Sequence, residues 1–344
     1  MLWIGIIDGT FARRYVLATR EFLLVIDGIH GNGAADARSP ANSSAETTEK
    51  IQSMPTTTVN GASIVYEIFG NGPLLVWTEG GRFGRNELSY LVAGHFARQY
   101  SVLIWDRRNG FGASDVALTD SPSYVATDVE DLHALLRNLK LGPACFAGAS
   151  AGSSLSLWMA HRYPKDVKSL ILFSAPTDDV ALFRPGVHKH CFSLAEVAER
   201  EGMQAAIDAS AESWFCELQG QSPERGTWLA QTIYRNPSNR ARVLAIDPQL
   251  FAATLRRWGT FFLSMSWPAG LTEDEIRSIS FPVMIVPGDD EIHPRRSAER
   301  LLSLLDQAEM VEFPATVPAE AAVIEKFYSV FPAMDEFLTR TLLD

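Results

Sequence analysis

The sequence predicts an α/β fold: a mostly parallel sheet covered by helices on both faces, with a helical insertion late in the chain. Three observations predict it. Short apolar runs alternate with amphipathic helical segments from Thr56 onward. The alternation stops after Pro176 and resumes at Phe281. A serine flanked by glycines, Ser150, stands where one apolar run gives way to a helix.

The elements follow in order. Thr56–Val59 and Ser63–Ile68 read as strands around a turn at Asn60-Gly61. Leu74–Thr78 is a buried-type strand closed by Gly80-Gly81, and Glu87–Gln99 is helical. Val102–Trp105 is a strand ended by Asp106. Tyr124–Leu139 carries Val125, Val129, Leu132, Leu135, Leu136 and Leu139 at helical spacing. Ala144–Ala147 and Val167–Ser174 read as strands around a helix at Ala151–Tyr163. The stretch from 177 to about 280 reads as helices and loops containing Trp214, Trp228, Trp258 and Trp267. Phe281–Val286 then reads as a strand, Arg295–Leu305 as a helix, Met310–Phe313 as a strand and Ala319–Leu343 as helical. Strand–helix alternation implies parallel strands buried on both faces.

Composition bounds the function. The 344 residues are 47% hydrophobic and 21% charged, which suits one domain with its own core. A formal net charge of -11 argues against nucleic acid or an anionic membrane as partner. Cys145, Cys191 and Cys216 form neither a disulfide framework nor a metal-ligand spacing. No stretch reaches the ~18 apolar residues of a membrane span. Arg13, Arg14 and Arg20 follow the apolar start instead of preceding it, the wrong order for a secretory signal. The expectation is a cytoplasmic protein. Gly31–Ser53 is rich in small and polar residues and reads as a linker, so residues 1–53 are expected to be a disordered or mis-annotated extension. The folded domain is expected over 54–344, with Met54 a candidate start. Oligomeric state is not readable.

Gly148-Ala149-Ser150-Ala151-Gly152 matches G-x-S-x-G with a strand before it and a helix after. That setting is what the chemistry needs. A sharp turn projects the serine hydroxyl from the sheet edge, and flanking glycines remove side chains that would clash. The Ala151 N–H, at the helix start, is free to face a developing oxyanion.

On these residues the chain resembles the α/β-hydrolase superfamily from about Met54 to Asp344. The segment from Trp105 to Asp115, with Asp106, Gly110, Gly112 and Ser114, is similar to the family's loop after the fourth strand. Asp106 and Arg107 are expected to brace that loop. The resemblance implies an eight-stranded, mostly parallel sheet flanked by helices, a helical cap after the sixth strand (about 177–280 here) and a Ser–acid–His triad. It places the oxyanion hole between Ala151 and the loop after the third strand, here Glu79-Gly80-Gly81-Arg82. The family usually has His-Gly there; this chain has Glu79-Gly80 and offers Gly80 or Gly81. The triad acid should follow Phe281–Val286, where family spacing favours Asp290 with Asp289 and Glu291 as alternatives.

The family's histidine should follow the last strand, but no histidine occurs after His293. Of the seven, His30 lies in the N-terminal extension, and His95, His133 and His161 fall in helices. His188 and His190 stand at the cap entrance. His293, in the acid-bearing loop, is the best substitute, with Asp290, Asp178 or Asp179 as its orienting acid. A base is recognised by geometry, not by chain order.

These readings lead to a cofactor-independent, metal-free serine hydrolase acting on an ester, lactone or related acyl bond of a small molecule. The tryptophans suggest an apolar or aromatic substrate, contacted by Trp214 and His188, with Arg82 for a substrate carboxylate. Two alternatives stand. Carbon–carbon bond hydrolases of this fold keep serine and a cap, although their elbow usually continues Met-Gly-Gly where this one has Ala151-Gly152-Ser153. A non-catalytic ligand-binding protein of the fold is the other, motivated by the missing C-terminal histidine. Haloalkane dehalogenases and epoxide hydrolases of the fold carry aspartate in place of Ser150.

Overall fold

The computed structural model describes residues 54–212, 226–267, 270–318 and 321–343. The expectations for residues 1–53 and for Trp214 and Cys216 fall outside them. The strands are β1 (Thr56–Val59), β2 (Ala62–Phe69), β3 (Leu74–Thr78), β4 (Ser101–Trp105), β5 (Ala144–Ala149), β6 (Val167–Phe173), β7 (Val283–Val286) and β8 (Ala308–Met310). They form one sheet in the order β1-β2-β4-β3-β5-β6-β7-β8. β1–β2 and β2–β4 pair antiparallel, and every later pair is parallel. The turn joining β1 to β2 has positive φ at both Asn60 (46°) and Gly61 (77°), the hairpin geometry that Asn-Gly favours.

Helices α1 (Glu87–Phe96), α2 (Tyr124–Asn138) and α3 (Ala151–Arg162) alternate with the strands. Between β6 and β7 come α4 (Arg184–Val187), α5 (Ser193–Glu201), α6 (Met203–Glu212), α7 (Trp228–Arg235), α8 (Ser238–Leu244), α9 (Pro248–Ser264) and α10 (Glu273–Arg277). α11 (Arg295–Leu304), α12 (Val323–Ser329) and α13 (Phe331–Leu338) complete the order.

The period-2 geometry of a strand explains the two cores. Leu74, Val76, Phe146, Leu170 and Leu172 face one side and pack with Leu132 and Leu136 of α2 and Leu155 of α3. Their neighbours Leu75, Trp77, Cys145, Ile171 and Phe173 face the other side and meet Phe96 of α1 and Phe331 and Phe337 of α13. Each fully buried Leu, Ile or Phe contributes about 1.5–3 kcal/mol, so both helix layers are needed.

A third cluster joins the inserted helices to two loops at the carboxyl ends of the strands. Leu194, Phe251, Leu255, Trp228 and Trp258 pack with Phe111 and Val116, and Phe83 and Tyr124 lie against them. Trp228 and Trp258 are buried in this packing. Trp267 donates its indole N–H to Pro176 O at 2.7 Å, and Arg300 lies 4.5 Å over its ring. These three tryptophans therefore do packing work.

Two expectations shift. β8 is Ala308–Met310 instead of Met310–Phe313. Val311 makes one further ladder bond to Ile285 O, and then Glu312 turns away to pair with Arg295 at 2.6 Å. The C-terminal stretch is two helices, because Pro332 takes the first turn of α13 and cannot continue α12. No helix among the described residues is long and apolar enough to cross a membrane.

One buried ion pair ties the strand-β4 loop to α2. Arg108 donates to both Asp131 oxygens at 2.5 and 2.6 Å and to Val59 O and Asn60 O at 3.1 Å. Both side chains are about 1% exposed. Asp131→Ala leaves the guanidinium buried with no carboxylate. It is expected to cost about 3–5 kcal/mol of unfolding free energy, measurable by urea denaturation.

Candidate active site

The carboxyl end of β5 turns sharply at Ser150, whose backbone is at φ 51°, ψ -115°. A non-glycine residue held at positive φ is strained and needs enforcement from its surroundings. Ser150 N–H donates to Phe173 O at 2.9 Å, and Ser153 Oγ donates to Gly148 O at 2.8 Å and to Phe173 O at 2.7 Å. A Cβ at Gly152 would stand 2.1 Å from Thr78 O, and one at Gly148 would stand 2.4 Å from the Gly152 carbonyl carbon. Both glycines are therefore demanded by close backbone approach, as the motif requires. Ala151 opens α3, so its N–H has no acceptor within the helix.

Ser150 meets two residues of a distant loop here, Asp290 and His293. His293 Nε2 lies 2.9 Å from Ser150 Oγ. His293 Nδ1 faces both oxygens of Asp290, at 3.1 and 3.0 Å. Asp290 Oδ1 also accepts the backbone N–H groups of Ile292 (2.8 Å) and His293 (2.7 Å), so the acid shapes the loop that carries the imidazole. Burial pushes the Asp290 carboxyl up. The hydrogen bond from His293, its charge and the two N–H donors outweigh that and leave it below its ordinary value of 3.8. The Asp290 side chain is 40% exposed and that of His293 22%.

The loop from Pro287 to Pro294 reaches Ser150 because only β6 separates β7 from β5. Strands lie about 4.8 Å apart, so the loop spans the end of one neighbour. Thr177 N–H, just beyond β6, holds Ile292 O at 2.7 Å. Lys326 of α12 pairs with Asp289 and anchors the other side. Gly288 permits the fold-back: a Cβ there would stand 2.3 Å from His293 O and 2.4 Å from His293 Cβ. Sequence reading passed over Gly288; its place in Pro287-Gly288-Asp289, right after a strand, was the available signal.

Three of the other candidate acids are engaged elsewhere, and Glu291 is exposed. Asp289 is held by Lys326, Asp178 lies 3.4 Å from Arg300, and Asp179 accepts from Ala181 N–H at 3.1 Å. The other described histidines also have partners of their own. His95 meets Asp335 at 2.8 Å, His133 meets Asp166 at 2.6 Å, and His161 lies 3.6 Å from Glu275.

Two residues expected to contact substrate have partners of their own. The Arg82 guanidinium is already committed. It bridges both Asp128 oxygens at 2.7 and 3.2 Å, donates to Arg108 O at 2.6 Å and stacks 4.8 Å over Tyr124. A substrate carboxylate would have to displace Asp128. His188 is exposed and its ring pairs with Ser193 Oγ at 3.0 Å. His190 turns inward, its ring 5.7 Å from that of Phe111. Burial and then the charge of Lys189 push it down to about 4, which keeps it neutral near pH 7.

Gly80 and Gly81 lie beside the elbow. A Cβ at Gly80 would stand 3.4 Å from Ser150 Cβ, and Gly81, at φ 50°, lies against the Phe83 ring. Glu79, where the family usually has histidine, points its side chain away from Ser150. Its carboxyl accepts from Trp77 Nε1 at 2.7 Å and Ser89 Oγ at 2.6 Å. Burial pushes that carboxyl up, against the hydrogen bonds that lower it. Asp106 braces its own loop by accepting from Ala113 N–H at 2.9 Å and Arg85 N–H at 2.7 Å. Arg107 instead reaches across to the loop after β3. A separate cleft, lined by Ser101, Lys140 and Lys168 among others, opens at the opposite ends of the strands and holds none of these side chains.

Known proteins share this architecture. The model of a family described as alpha/beta hydrolase fold matches residues 81–192. A Bacillus subtilis (strain 168) protein named uncharacterized hydrolase YraK is 34% identical over 113 residues, 33% of this chain. The match spans 41% of that protein's length. Among solved structures, the enol-lactonase from Burkholderia xenovorans LB400 is 21% identical with a TM-score of 0.53, covering 83% of this chain and 100% of its own. A thermophilic esterase from Thermogutta terrifontis is also 21% identical, with a TM-score of 0.54, covering 84% and 98%. With its eight-stranded sheet, its order of strands and its strained serine turn, this chain has the α/β-hydrolase fold.

Proposed function

We propose that this chain is a cofactor-independent serine hydrolase acting on an ester, lactone or related acyl bond. The observation that carries the reading is the line of contacts from Ser150 Oγ through the His293 imidazole to Asp290. His293 Nε2 accepts the hydroxyl proton as Ser150 Oγ forms a bond to the acyl carbon. The carbonyl oxygen takes up the negative charge, facing the N–H of Ala151 and those of Gly80 and Gly81. The intermediate collapses, the bond to the leaving oxygen breaks, and that oxygen takes the proton from His293. Water then gives its proton to His293 and attacks the acyl-enzyme, and the proton returns to Ser150 Oγ as the acid product leaves. Asp290 holds Nδ1 protonated and stabilises the imidazolium.

The structural neighbours named an enol-lactonase and an esterase favour an acyl–oxygen bond. The half-buried Phe83 ring beside Gly81, 5.2 Å from Phe111, favours an apolar or aromatic substrate of small size. In this reading helices α4–α10, about residues 177–280, form the cap over it. The ligand-binding alternative was motivated by the lack of a histidine beyond β8, and His293 at 2.9 Å from Ser150 removes that motive.

A fluorophosphonate probe tests the proposal. Purified protein should acquire one adduct, on the peptide containing Ser150, and Ser150→Ala should acquire none. A folded wild-type protein that stays unlabelled at Ser150 would favour the ligand-binding alternative.

A further inference from the structure

We propose that Arg107 is a positioning residue of the oxyanion loop, holding its peptide planes so that the N–H groups of Gly80 and Gly81 face the reacting carbonyl above Ser150. The proposal rests on the reading of Ser150 as the nucleophile. Its observation is one nitrogen with three acceptors. Arg107 Nη2 donates to the carbonyl oxygens of Glu79 (3.0 Å), Gly80 (3.2 Å) and Phe83 (3.2 Å). In a trans peptide the N–H points opposite to the C=O. Drawing the Glu79 and Gly80 carbonyls toward Arg107 therefore turns the N–H groups of Gly80 and Gly81 away from it.

The loop has little room to find that arrangement alone. Gly81 stands at φ 50°, a turn closed by Phe83 N–H to Gly80 O at 3.2 Å. Glycines reach many backbone conformations, so two in sequence leave the plane directions open unless something fixes them. On the elbow side, a Cβ added at Gly80 would stand 3.3 Å from Ala149 O. Arg107 supplies the restraint from the other side.

The neighbouring arginines show the contrast. Arg108 and Arg85 spend their guanidinium groups on carboxylates, Asp131 for the first and Asp106 and Glu67 for the second. Arg107 is 3% exposed. The carboxylates whose charge it feels are turned elsewhere: Asp128 to Arg82, and Glu79 to Trp77 and Ser89. Burying a cation is costly unless oriented dipoles replace water. Here those dipoles are the peptide units of the oxyanion loop. A positive charge at their carbonyl ends also polarises them, strengthening the N–H donors at the far ends.

The test follows hydrolysis of p-nitrophenyl butyrate and the rate of fluorophosphonate labelling in wild type, Arg107→Met and Arg107→Lys. Active-site titration normalises each rate to functional sites. Arg107→Met should lower kcat and the labelling rate together by about 10²-fold, with KM changed by less than about 3-fold, since the lost donors act on the developing oxyanion. Arg107→Lys keeps the charge but ends one bond short, so it should lose about 10-fold and lie between the two. Should Arg107→Met fail to fold, Arg107→Lys carries the test with the same readouts. Wild-type rates per active site in the folded variants would overturn the proposal and leave only a structural role for Arg107. Wild-type protein that does not label at Ser150 overturns the nucleophile reading instead, and this inference with it.

Discussion

His293→Ala is expected to lower hydrolysis of an activated ester by about 10⁴–10⁶-fold, and Ser150→Ala by a similar factor, with the double variant no slower than either. The argument is geometric. A serine hydroxyl is a weak nucleophile unless a base takes its proton, and His293 Nε2 stands within hydrogen-bond reach of it at 2.9 Å. The two side chains act on one proton, so removing both removes nothing more than removing one. Folding should survive, because the His293 side chain is 22% exposed and sits in a loop, not in either core. The measurement is steady-state turnover normalised to the concentration of folded protein. Retention of a tenth or more of wild-type activity in a folded His293→Ala protein would place the base elsewhere.

Gly288→Ala should lower turnover by about 10³-fold, since displacing a catalytic group by about 1 Å costs on the order of 10² and losing it costs more. The added Cβ would stand 2.3 Å from His293 O and 2.4 Å from His293 Cβ. Those atoms are backbone and first side-chain carbon, so no rotamer change relieves the clash. The loop is pinned on both flanks, by Thr177 to Ile292 O and by Lys326 to Asp289, and the imidazole must move. Gly288 has no positive φ, so the effect comes from contact and not from backbone strain. The unfolding midpoint should change little while kcat falls. Wild-type turnover in Gly288→Ala would show that the loop opens more freely than these contacts allow.

Much of the fold was legible in the residues because local chemistry dictates it. β1 and β3 have the predicted limits, and the Asn60-Gly61 turn takes the backbone that this pair favours. The elbow at Ser150 was equally legible, since Gly148 and Gly152 serve contacts that no other residue permits. The ends of elements were less legible. β8 stops early because Glu312 finds Arg295, a partner 17 residues away. The packing of Trp228 and Trp258 was not legible, because a pattern of large apolar residues does not distinguish a packed interior from a pocket wall. The partner of Arg82 was not legible for a related reason: nothing near an arginine beside a glycine loop points to Asp128, 46 residues later.

By itself the sequence determined the layered α/β architecture, the strained turn that presents Ser150 and the short list of acids and histidines near it. These follow from periodicity, turn chemistry and glycine sterics, all of which act over a few residues. Only the tertiary structure decided which of those groups meet. The separation of 143 positions between Ser150 and His293 says nothing about distance. Parallel strands β5, β6 and β7 in adjacent order bring the two loops to one edge of the sheet, and Asp290 joins them because its own carboxylate folds that loop. The partners of Arg82, Arg107 and Glu79 were set the same way, by chain segments that pack together only once the sheet has formed.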